Sequence, residues 1–169
     1  KKQKKEETDP DKKRVADARA AWPEYTGSLT ETVDLSGYST ITLVPFENLT
    51  DNSEEELAGQ GFIDEVEEFL IERYDDTFTS VRVSDDPLGT TGEVVLRGQV
   101  YDYSNSKYNY FTGRTKAKFK AEMTLTDGQT GAVLKSSKIS EDSRYESRDE
   151  QLEKAAEDVA KMLVRSKKN

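Results

Sequence analysis

The residues best equipped for recognition chemistry lie in one short stretch. Tyr101, Tyr103, Tyr108, Tyr110 and Phe111 fall within eleven positions, beside Arg97, Arg114, Lys116, Lys118 and Lys120. Tyrosine and arginine carry much of the energy at binding interfaces, because each combines a flat apolar body with polar tips. Aromatic platforms with cationic neighbours suit a polysaccharide or an acidic protein surface. The plainer reading is a solvated sheet face on which lysine and tyrosine pair across strands and guard against aggregation. Five aromatics at one exposed bend exceed what packing requires.

Other constellations carry less. The chain has no cysteine and no histidine, so thiolate nucleophiles, thiolate or imidazole metal sites and the usual proton shuttle of neutral pH are excluded. The adjacent acids Asp75–Asp76 and Asp85–Asp86 do not read as a facing pair across a cleft, which glycoside hydrolysis needs. Adjacent acids of this kind are turn-formers. The acids between Glu47 and Asp76 lack the alternation of a calcium loop and read as a solvated helix face. Gly59-Gln60-Gly61 lies inside a helix pattern after an acidic loop, which disfavours a phosphate. No serine elbow is present. The expectation is a protein with no catalytic residues, no metal and no cofactor.

Composition bounds the class. The 169 residues carry a net charge of -9, with 33% hydrophobic and 35% charged side chains. That balance describes one modest core with a heavily solvated exterior, and it argues against a nucleic-acid partner. No apolar run approaches the roughly 20 residues of a membrane span.

The elements that must position these residues follow from periodicity. Residues 1–32 read as a flexible amino-terminal tether, with a short helical turn at Val15–Trp22 and with Trp22 and Tyr25 able to dock on the body. Residues 33–166 read as a single domain. Ile41–Phe46 is a nearly continuous apolar strand. Ser53 and Glu56 have the spacing of a capping box, opening a helix to about Tyr74 with Leu57, Phe62, Ile63, Val66, Phe69 and Leu70 on one stripe. Phe78–Val83 is a second strand. Val94, Leu96, Gly98 and Val100 alternate with Val95, Arg97, Gln99 and Tyr101. Ala117, Phe119, Ala121, Met123 and Leu125 alternate with Lys116, Lys118, Lys120, Glu122 and Thr124. Such alternation means one buried and one wet face. Asp127–Gly131 is a turn into a strand from Ala132 to about Ile139. A capping box at Ser147 and Glu150 opens a last helix with Leu152, Ala155, Ala156, Val159 and Leu163 inward. The order β-α-β-β-β-β-α predicts an α+β fold, a two-layer α/β sandwich. Its mixed sheet has both helices on one face and the other face exposed, with a right-handed parallel crossover followed by a meander.

The strand ending Val44-Pro45-Phe46-Glu47-Asn48 resembles an element of bacterial envelope proteins, found in the TolB amino-terminal domain, CsgG and PelC. The layout from 38 to 165 resembles an uncharacterised family of bacterial envelope lipoprotein domains. Its marks are Leu96-Arg97-Gly98-Gln99-Val100 leading into a tyrosine-rich bend, the hairpin Leu125–Gly131 and an alanine-rich closing helix. The resemblance implies a protein of the bacterial cell envelope, periplasmic and lipid-anchored to the outer membrane through a cysteine that would precede Lys1. It implies no catalytic residues, and it points to envelope proteins or polysaccharide as partners in assembly, export or maintenance. A ring-forming export factor like PelC and a small glycan hydrolase are the alternatives. Outward Lys116, Lys118 and Lys120 would be costly in lipid, which disfavours a CsgG-like pore.

Overall fold

The computed structural model describes residues 10–50, 57–105 and 116–168. Helix α1 (Pro10–Ala20) is followed by β1 (Thr40–Leu43), a two-residue strand β2 (Glu47–Asn48) and α2 (Ala58–Glu68), whose last turn widens to π-helix over Phe69–Arg73. Then come β3 (Ser80–Val83), β4 (Glu93–Asn105), β5 (Ala117–Asp127), β6 (Val133–Ser143) and α3 (Arg148–Lys167).

The sheet order is β3-β1-β4-β5-β6. Strand β1 is parallel to both β3 and β4, while β4, β5 and β6 form the expected antiparallel meander. The apolar run at 41–46 is one strand interrupted. Pro45 has no amide to donate, so pairing with β4 stops after Val44, whose amide donates to the Leu96 carbonyl at 3.0 Å, and resumes at β2. Strand β4 parallels β1, so the chain returns from the end of β3 through loop 84–92 to the start of β4.

Both α2 and α3 cover one sheet face, so the architecture is the two-layer α+β sandwich. Phe62, Ile63, Val66, Phe69 and Leu70 of α2, and Ala155, Ala156, Val159 and Leu163 of α3, meet Leu43, Leu96, Val100, Phe119 and Met123 of the sheet. The Phe62 ring links the layers, 4.8 Å from Phe46 and 5.2 Å from Phe119 between centroids. Glycine is required where backbone crowds. A Cβ on Gly59 would sit 1.9 Å from the Phe46 carbonyl oxygen, whereas Gly61 faces open space. Helix α2 begins at Ala58, and the capping box at Ser53 and Glu56 lies outside the described residues. The second capping box is present: the Glu150 amide donates to Ser147 Oγ at 3.2 Å.

The amino-terminal segment departs from expectation. Residues 1–9 lie outside the described residues, but 10–36 form a strap packed on the domain rather than a tether reaching to residue 32. Ser136 Oγ donates to the Pro23 carbonyl on the outer face. At the edge of β6, Thr26 and Ser136 exchange bonds: the Thr26 amide donates to the Ser136 carbonyl at 2.9 Å, and the Ser136 amide to Thr26 Oγ1 at 3.1 Å. On the helix face, Ser137 Oγ donates to the Gly27 carbonyl, and Lys135 Nζ donates at 2.8 Å to the carbonyls of both Ser28 and Glu31. Leu35, fully buried, then donates its amide to the Ser166 carbonyl at the end of α3. The strap therefore passes from the outer face, round the β6 edge, to the helix face. Polar residues can make this path because the contacts are hydrogen bonds to a strand edge, which an apolar count does not register.

Candidate functional site

The outer face of β4, β5 and β6 holds the candidate site. Its register pairs opposite charges: Asp102 faces Lys120, Lys118 faces Asp142, and Glu122 faces Lys138. Lys118 and Lys120 point outward and are half-buried, and Lys116 and Arg97 are exposed. Lys116 Nζ lies 3.6 Å from Asp142 Oδ2. Tyr108, Tyr110, Phe111 and Arg114 lie outside the described residues.

Tyr103 is not on this face. The β4–β5 register shifts between Val100 and Asp102, leaving Tyr101 as the bulged residue and inverting the alternation beyond it. Tyr103 therefore turns to the helix side. It is 7% exposed, meets Phe119 edge-on at 6.2 Å and donates its hydroxyl to Asp149 at the start of α3. Tyr101 stays on the outer face, with the Arg19 guanidinium 4.2 Å from its ring centroid.

The face is not bare, and two carboxylates are buried on it. Glu122 is 1% exposed. It accepts bonds from Gln99 Nε2 at 2.7 Å, Tyr25 Oη at 2.6 Å and Arg19 Nε at 3.3 Å. Burial first, then the Glu122 bond and charge, push the Tyr25 hydroxyl up to about 12, so it stays a donor. Lys138 Nζ lies 5.2 Å from the Tyr25 ring centroid. Glu93 is fully buried beneath loop 84–92. It accepts from Thr42 Oγ1 at 2.6 Å and from the amides of Leu88 and Gly89 at 2.8 and 2.9 Å, with Arg82 Nη1 at 3.7 Å. Burial pushes this carboxyl up, but those donors together outweigh it and hold it below its ordinary value.

Beside Glu122 an open groove of about 460 Å³ runs between the strap and the sheet, lined by Trp22, Pro23, Pro45, Arg97, Thr124 and Val133 among others. The Trp22 indole Nε1 is buried and meets no acceptor among the described residues. On the opposite face, half-buried Glu141 meets Asp158 of α3. Burial, and then the hydrogen bond to that second carboxyl, push Glu141 up to about 7. Outward parity placed Glu122 correctly. Its burial depends on strap segments distant in sequence, whereas Glu93 is closed over by the loop just before it, with Thr42 the one distant donor. The described residues contain no cluster of three or more acids arranged to hold a metal ion, and no described helix is long and apolar enough to cross a membrane.

This sheet and helix arrangement is a fold shared with solved structures of PelC. The chain is similar to the PelC dodecamer from Paraburkholderia phytofirmans, with a TM-score of 0.57 at 18% identity over 80% of this chain and 93% of that one. A leucine-to-methionine variant of that dodecamer aligns with a TM-score of 0.58 at 16% identity, covering 83% and 96%. Lipoprotein GNA1162 from Neisseria meningitidis aligns with a TM-score of 0.45 at 17% identity, covering 63% and 84%. No family model matches the chain, and no curated protein matches it.

Proposed function

We propose that this chain is a non-enzymatic domain of the bacterial envelope, lipid-anchored in its full form, that holds a protein partner or a polymer against the outer face of its long hairpin. The observation that carries this reading is the β4–β5 pair itself. Eleven- and thirteen-residue strands, rigidly paired, present Arg97, Tyr101, Lys116, Lys118 and Lys120 away from the core. Side chains on a paired strand are better pre-organised for binding than side chains on a loop. The two buried carboxylates of this face are surrounded by donors and so are poorly placed to act as acids or bases.

Titration with polygalacturonate, an acidic polymer, tests the reading by calorimetry. Replacing Tyr108, Tyr110 and Phe111 with serine, or Lys118 and Lys120 with glutamate, is expected to weaken binding at least tenfold with the melting temperature shifted by no more than about 2 °C. Unchanged binding in both variants removes this face from consideration. The likeness to a dodecamer supports a second reading, a ring-forming export accessory factor. A strict monomer by sedimentation at high concentration argues against a ring.

A further inference from the structure

We propose that Glu122, Tyr101 and Gln99 form a recognition site for an arginine side chain of a basic peptide segment in a partner, and that Arg19 occupies this site in cis. The inference deepens the outer-face reading and rests on it.

The built part of the site is a carboxylate that a solvent-facing strand does not otherwise bury. Glu122 and Gln99 are 1% and 3% exposed and are bonded to each other at 2.7 Å, which fixes the carboxylate in place. Beside it stands the Tyr101 ring, turned by the bulge. A guanidinium suits this pair well: its plane stacks on an aromatic face while its edge donates to a carboxylate. Arg19 does both, 4.2 Å from the ring centroid and 3.3 Å from Glu122 Oε1. An ammonium, a compact and strongly hydrated charge, gains less from the ring.

The occupant is replaceable. The Arg19 side chain remains 40% exposed although its partner Glu122 is buried, so the guanidinium keeps much of its hydration and the pair contributes modestly. Helix α1, with the sequence PDKKRVADARA, carries no apolar stripe to anchor it. Trp22 is seated in the same seam with its indole nitrogen unsatisfied, a defect that a permanent contact would not be expected to keep. Arg19 competes chiefly because it is tethered, at an effective concentration on the order of millimolar.

Isothermal titration and amide chemical-shift mapping on the full chain test this, with a short glycine–arginine peptide and its lysine and citrulline counterparts as probes. The Arg19→Ala variant is expected to bind the arginine peptide about three- to fivefold more tightly than the unaltered chain, with shifts centred on Tyr101 and Glu122. The lysine peptide should bind more weakly and the citrulline peptide not at all. Adding Glu122→Gln to Arg19→Ala should abolish the gain. Should that double variant not fold, Arg19→Ala with Tyr101→Leu must lose the gain instead. Equal affinity in the unaltered chain and Arg19→Ala overturns the proposal, as does equal binding of citrulline. If the peptide fails while the Lys118 and Lys120 reversals still weaken polygalacturonate binding, this inference alone falls. Failure of both sinks the outer-face reading.

Discussion

Glu93 and Glu122 lie on the same face of the same sheet, both buried and both fully supplied with donors, yet they are held in different ways. Glu93 is gripped by two main-chain amides of a loop, a threonine hydroxyl and Arg82. Glu122 is held by one neighbouring amide side chain and by two side chains of the strap, about a hundred positions earlier. The first arrangement comes apart only if the loop between β3 and β4 unfolds. The second comes apart whenever the strap lifts. Burial alone does not distinguish a structural carboxylate from an available one; the origin of its donors does.

That contrast can be broken most severely at Glu93. Glu93→Ala leaves two amides and the Thr42 hydroxyl without their acceptor and removes the carboxylate opposite Arg82, and chemical denaturation should show a loss of about 3 kcal/mol. Glu122→Ala should lose only about half as much, roughly 1.5 kcal/mol, because the strap can swing its donors to water. A comparable or larger loss at Glu122 would erase the distinction. Tyr25→Phe, which removes one donor to Glu122, should lose about 1 kcal/mol and should speed amide exchange at Ser136, whose partner Thr26 is on the same strap.

Glu141 sharpens the comparison from the other side, since it meets a carboxyl rather than a donor. Its folded pKa is raised to about 7 from an ordinary 4.5. Its contribution is therefore fully present below about 4.5 and is lost as pH rises through 7. Glu93 has the opposite sign: its depressed pKa gives stability that is present above 4.5 and lost as pH falls through the lower folded value. Glu141→Gln should then gain on the order of 0.5–1 kcal/mol at pH 8 and nothing near pH 4, read from paired urea titrations.

The helix face was legible in the sequence almost residue by residue, because period-two and helical stripes report a core directly. The outer face was legible only in parity. Alternation points Glu122 outward but carries no signal that Arg19 and Tyr25 will cover it. Alternation puts Tyr103 on the outer side, but one bulged residue, which leaves no mark in composition, reverses everything beyond it. The strap reads as a tether in the sequence because hydrogen bonds to a strand edge need no apolar side chains. Glu93 follows Gly92 and begins a strand, and nothing about its neighbours announces that a loop will close over it.

Lys135 gives this architecture a built-in reporter. The residue is 1% exposed, its amine donates to two carbonyls on the inner leg of the strap, and burial draws its pKa downward. An acylating reagent can reach that nitrogen only while the leg is away. The rate at which Lys135 is labelled, set against that of exposed lysines such as Lys116 and Lys138, therefore counts detachment events in the unaltered protein without any engineered probe.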